Sequence, residues 1–153
     1  MIASELTRLL ELPEPIYIHL AAAQAGAIPF TCRGFGIRVD EASHRVRVMI
    51  LRSQRSRLEP LLAEQGRLAV LLTSGITNQS LQLKGIAVGS EPVTPDDQEM
   101  LERQGRMTAR CFPHLAALHR VRASECVTVR MNVERIYLQT PGPQAGTLLM
   151  GRS

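Results

Sequence analysis

Two short stretches of this chain carry residue types that suit an anionic ligand. Arg52, Ser53, Arg55, Ser56 and Arg57 crowd the end of the run Arg45 to Leu51, where the hydrophobic period changes from strand to helix. A helix start offers free backbone N–H groups and the positive end of the helix dipole, and serine hydroxyls add donors. Arginine supplies a planar fork that matches phosphate. The bland alternative is a solvated helix start with surface arginines. The second stretch is Gln79-Ser80-Leu81-Gln82-Leu83-Lys84-Gly85. Strand alternation puts Ser80, Gln82 and Lys84 on one face, opposite Leu81 and Leu83. That face can hydrogen-bond a phosphate or a polar ring, or it is simply the wet side of a strand.

Other chemistries find less support. His19, His44, His114 and His119 are scattered. Cys111, His114 and His119 have a loose helical spacing, but Pro113 interrupts it and no carboxylate completes a set, so no metal is expected. Cys32, Cys111 and Cys126 are odd in number and match no metal pattern; reduced, buried thiols are expected. No nucleophile elbow, GxGxxG or Walker A pattern occurs, which sets aside hydrolase, Rossmann and P-loop readings. No catalytic residue can be named.

The elements that would position the two stretches follow from composition and period. The 153 residues are 44% hydrophobic and 21% charged, an ordinary globular balance that fits one domain spanning 1–153. Net charge is +4, and of the 18 basic residues only Lys84 is lysine. Two Tyr, three Phe and no Trp leave few stacking platforms, which argues against nucleic acid. No apolar run approaches the ~18 residues of a membrane span. Ile16 to Ala23 is short, contains His19 and lacks a basic leader, so it reads as a strand, with the cytoplasm as default location.

Ser4 to Leu12 predicts a short helix capped by Ser4, within an N-terminal helical segment 1–12. Strands are expected at Ile16–Leu20, Phe30–Val39 and Arg45–Leu51. A helix follows over Ser53–Glu64, capped by Ser53 or Ser56. Strands come next at Leu68–Leu72 and Ser80–Val88. Thr94-Pro95-Asp96-Asp97 predicts a strong helix start, and the helix runs to Arg110 with Arg103 on a solvated face. Two last strands are expected at Glu125–Val133 and Glu134–Gln139, before a Pro/Gly-rich tail over 141–153. Short links favour antiparallel pairing. The expected fold is mainly β (α+β): a split β-barrel of six or seven mostly antiparallel strands with two or three outer helices.

The segment order, the Ser56-Arg57 junction, the Gln79–Gly85 strand and the run Gln139-Thr140-Pro141-Gly142-Pro143 resemble the FMN-binding split-barrel superfamily that includes the pyridoxamine 5′-phosphate oxidases. That family carries Ser-Arg-Lys at the strand–helix junction; Ser56 and Arg57 match the first two, and Leu58 stands at the lysine. Leu62 matches the family leucine, and Gln65-Gly66 takes the place of an Asn-Pro turn. The family's Arg-Gln-x-Arg-x-x-Gly strand falls on Gln79, Ser80, Gln82 and Gly85, of which only the glycine is kept. The oxidases end in an arginine-bearing substrate segment where this chain has Gly151-Arg152-Ser153, which leaves the substrate open. The resemblance implies FMN as cofactor, held near Arg52, Ser53, Ser56, Arg57, Ser80, Gln82 and Lys84. It implies a homodimer with the cofactor at the subunit interface, covering apolar surface such as the Leu68–Leu72 region, and an oxidoreductase acting on a small molecule. The alternative is a non-enzymatic flavin- or haem-binding module, or a split barrel without cofactor.

Overall fold

A computed structural model describes residues 2–40, 42–63 and 66–151, with the side chain of His119 excluded. Six strands close a barrel. They are β1 (Ile16–Ala23), β2 (Phe30–Asp40), β3 (Arg45–Leu51), β4 (Arg67–Ser74), β5 (Ser80–Pro92) and β6 (Cys126–Leu138). The sheet order is β3-β2-β1-β4-β5-β6, every pairing is antiparallel, and β3 pairs with β6 to complete the circle. Alternation places Ile18, Leu20 and Ala22 of β1 inside, with Leu68, Val70 and Leu72 of β4. Val46, Val48, Ile50, Val129 and Met131 complete the lining.

The helices close the barrel. α1 (Ser4–Glu11) sends Leu6 and Leu9 into the barrel core, and α2 (Arg52–Leu62) sends Leu58 and Leu61. α2 packs against all six barrel strands, as a plug does. α3 (Pro95–Cys111) lies outside on β2 and β3, where Leu101 covers Met49 and Cys126 in a second apolar cluster. A short α4 (Ala116–His119) follows.

Several expectations are corrected. The last two expected strands are one continuous strand, β6. A seventh strand, β7 (Leu148–Gly151), lies in the segment read as tail and pairs with the second half of β6. α2 starts at Arg52 with Leu51 as its cap residue, so neither Ser53 nor Ser56 caps it. α1 likewise begins at Ser4, after Ala3, and Ser4 makes no cap bond. Arg103 is not on a free face: its guanidinium donates to the Leu10 carbonyl at 3.3 Å and ties α3 to α1. Leu68 and Leu72 face the core, leaving Ala69 and half-buried Leu71 outside. The expected helix end at Glu64, Gln65 of the turn and the terminal Arg152-Ser153 lie outside the described residues. Among the described residues no helix is long and apolar enough to cross a membrane.

Candidate functional site

The α2 start is open. The chain passes from β3 into the helix at Leu51–Arg52, and the extended cap residue Leu51 has no side-chain acceptor, so no side chain caps the helix. No acidic residue lies in the first turn. Arg52, Ser53, Ser56 and Arg57 are all exposed. Arg55 pairs with Glu59 one turn on, while Arg57 stacks on Phe30, its guanidinium carbon 4.6 Å from the ring centre. Cations at the positive end of a helix dipole are unfavourable without an anion. Leu58, at the position of the family lysine, is 1% exposed and fills the barrel end instead.

The β5 residues separate. Ser80 is buried; its hydroxyl donates to the Asn78 carbonyl at 3.0 Å and meets the Thr73 hydroxyl at 3.0 Å. Its N–H donates to Thr140 Oγ1 at 3.0 Å, and its carbonyl accepts the Gln139 N–H at 2.8 Å. These bonds pin the loop that joins β6 to β7 onto the start of β5. Gly142 and Gly146 take positive φ there, 144° and 91°. Between that loop and α1 lies a cavity of about 590 Å³, with Arg8, Leu9, Gln79, Ser80 and Pro141 in its wall. Gln82 is half-buried and accepts from Gln139 Nε2 at 3.3 Å. Lys84 is exposed, its ammonium 5.2 Å from the Tyr137 ring centre. It lines a different cleft, of about 370 Å³, with Arg67, Glu134 and Arg135.

The seven expected site residues therefore fall into two groups: four on α2 and three along β5, with Ser80 and Lys84 in separate cavities. Arg67, Glu134 and Arg135 were missed by sequence reading. Their only signal was cross-strand register, because Arg135 stands directly opposite Lys84.

Nucleophilic thiol chemistry is not supported. Burial pushes the Cys32 and Cys126 thiols up to about 11, and Glu125 adds to the rise at Cys126 while Arg52 opposes it. Both thiols are protonated at neutral pH. The strongest electrostatic cluster is structural. Asp97, fully buried, takes a two-bond fork from Arg47 (Nε–Oδ1 3.0 Å, Nη2–Oδ2 2.6 Å). It also accepts from the Thr128 hydroxyl at 2.9 Å and the Thr94 N–H at 3.1 Å. Burial raises the Asp97 pKa, but these donors outweigh it, Arg47 first, and hold the carboxyl down at about 2. Arg47 also pairs with Glu91, and Arg38 lies 3.3 Å from Asp97 and 3.2 Å from Asp96.

No protein-family model and no curated protein matches the sequence. Solved structures do match in shape. HupZ of Group A Streptococcus is 15% identical, covers 95% of this chain and 100% of its own, and gives a TM-score of 0.56. A putative pyridoxamine 5′-phosphate oxidase from Lactobacillus delbrueckii is 11% identical over 89% of this chain and 93% of its own, with a TM-score of 0.53. General Stress Protein 26 from Bacillus anthracis is 13% identical over 87% and 89%, with a TM-score of 0.50. At such identities the likeness concerns the fold alone: this chain shares the split-barrel fold of those structures.

Proposed function

We propose that the protein binds FMN in a groove between two copies of the chain and acts as a flavin-dependent oxidoreductase on a small molecule. The observation that carries this reading is the start of α2: uncapped, free of acidic residues and flanked by exposed Arg52, Ser53, Ser56 and Arg57. Those groups suit a phosphate, which a helix N-terminus and a guanidinium both favour. Gln82, half-buried on the outer face of β5, offers an amide to a polar ring. The flavin itself would supply hydride or electron transfer, while this chain binds and orients it. Three free cysteines fit a reducing, cytoplasmic setting.

One observation favours a second reading, a non-enzymatic flavin- or haem-binding module or a barrel without cofactor. Ser80, which the resemblance assigns to FMN, gives its hydroxyl to Asn78, and Leu58, at the family's lysine position, fills the barrel end, so both serve the fold. An absorbance spectrum of the purified protein, repeated after adding FMN, separates the readings. Flavin bands that stay with the protein support the first. A Soret band supports haem, and neither band with no FMN uptake supports the bare barrel. Light scattering tests the assembly: twice the 16.9 kDa chain mass at micromolar concentration is expected, and the monomer mass would remove the inter-subunit groove.

A further inference from the structure

Residues 103–124 hold five arginines and not one Asp or Glu. The net charge of the whole chain is +4, so this one segment carries all of its positive excess. It covers the second half of α3, the α4 turn and the approach to β6. Arg103 is committed to the Leu10 carbonyl. Arg106, Arg110, Arg120 and Arg122 are exposed and make no ion pair among the described residues. The helix dipole accounts for Arg110, in the last turn of α3. It does not account for Arg106 and Arg120, which line one cleft, the first from α3 and the second from just after α4.

That cleft holds about 330 Å³, and its apolar wall is Leu101, Ala109, Ala116 and Val121. Gly105 keeps it open, because a Cβ built there would meet nothing within 4 Å. Glycine weakens a helix interior. Neither helix stability nor a close approach therefore explains Gly105 in the middle of α3. Glu102 stands at the same cleft and accepts from Gln98 Nε2 at 3.0 Å. Leu118, two residues before Arg120, is 71% exposed.

We propose that this face docks an acidic segment of another protein: one Leu- or Met-sized side chain enters the cleft, and flanking Asp or Glu carboxylates meet Arg106, Arg110 and Arg120. A surface of one charge sign draws the opposite sign, and guanidinium pairs with carboxylate through parallel hydrogen bonds. A nucleic-acid strand fits less well. No aromatic ring lines the cleft to stack a base, and Glu102 repels phosphates while it can accept a peptide N–H. An anionic bilayer calls for a broad apolar face, and Leu118 is the one large apolar side chain exposed in this segment among the described residues. None of these residues belongs to the α2 start or to β5, so the proposal does not rest on the flavin reading.

The probe is the peptide Asp-Glu-Leu-Glu-Asp, blocked at both ends. It is titrated into the full chain at fixed salt to about 1 mM, the range of weak docking contacts. Saturable shifts of the backbone amide signals of Gly105, Ala109 and Ala116 are expected. Arg106→Gln and Arg120→Gln should each weaken binding roughly three- to fivefold, the worth of an exposed ion pair. Arg8→Gln, the same charge change at an exposed site on α1, should leave it unchanged. Gly105→Leu should weaken binding about tenfold by filling the space of the anchor, yet melt no lower than wild type. That pairing separates a docking role from a structural one. The same peptide with Gly in place of Leu should bind about tenfold more weakly. The proposal is overturned if wild type shows no saturable shift at these amides, or if Arg8→Gln weakens binding as much as Arg106→Gln. Equal binding of the Gly peptide would also overturn it, since charge alone would then account for the contact. So would an oligothymidylate or anionic lipid vesicles that shift these amides at lower concentration than the peptide does.

Discussion

Two faces of the same barrel treat their cations in opposite ways. Under α3, Arg47 and Arg38 meet Asp97, Asp96 and Glu91, and the central carboxylate is fully buried. Across β4, β5 and β6, Arg67, Lys84 and Arg135 stand exposed without an ion pair among the described residues. The first arrangement is largely neutralised, because its carboxylates face its guanidinium groups where a helix joins the sheet. The second contributes little to the fold and keeps its charges available. Charge alone thus says little about function; what matters is whether the structure has already neutralised it.

The sharpest way to break this contrast is to unpair the closed face. Asp97→Ala should cost about 3–5 kcal/mol, because Arg47 is left half-sequestered beside α3 with one partner fewer. That is a large part of the roughly 5–15 kcal/mol that holds a domain of this size. Urea unfolding should show a lower midpoint with an unchanged slope; a wild-type midpoint would mean the cluster is not a clamp. Next comes the open face, where Gly85→Ala should cost about 3 kcal/mol, the upper end for overpacking, because its Cβ would meet a backbone oxygen. Native-state hydrogen exchange should locate the loss at the β5–β6 pairing near Asn132. Exchange unchanged there would remove Gly85 as the support of the bulge at Glu134 in β6.

Acid probes the closed face without mutation. The Asp97 carboxyl is held at about 2, below its ordinary 3.8. A depressed carboxyl contributes stability above its unfolded value and loses it as pH falls through the folded one. About 2 kcal/mol should therefore disappear between roughly pH 4 and pH 2. The acid loss should be smaller in Asp97→Asn than in wild type; equal losses would assign it to other carboxylates.

How far the sequence revealed these faces depends on whether the signal was local. The α3 start was legible because Thr94-Pro95-Asp96-Asp97 is a contiguous capping box, and the structure forms it. That Asp97 also binds Arg47 was not, since fifty residues separate the two. β6 looked like two strands because the extra residue Glu134 reverses the alternation midway. β7 was hidden by the prolines and glycines before it, and its pairing with β6 is settled by the loop pinned to Ser80. The serines of α2 suggested a cap, but the helix starts one residue earlier than expected, so the serines lie inside it and the cap position falls on Leu51, which has no acceptor. The polar face of β5 was read correctly as alternation, yet burial assigned Ser80 to the fold and left Lys84 to solvent.

The smallest expected effect on stability is at the α2 start, where it should be the largest on ligand. Arg57 is exposed, stacks on the Phe30 ring and makes no ion pair among the described residues. Arg57→Ala should stay within about 0.5 kcal/mol of wild-type stability, as surface changes do. It should nevertheless weaken FMN about tenfold or more, the worth of one charge-assisted phosphate contact. The matched control is Arg110→Ala on exposed α3; Arg103→Ala would not serve, because Arg103 holds the Leu10 carbonyl. Fluorescence quenching of FMN at fixed salt measures all three proteins. Equal affinities would take Arg57 out of the site and leave the α2 arginines as solvated surface. Loss of FMN binding together with a fall in stability would make Arg57 a strut for Phe30, and the contrast between paired and available cations would no longer extend to α2.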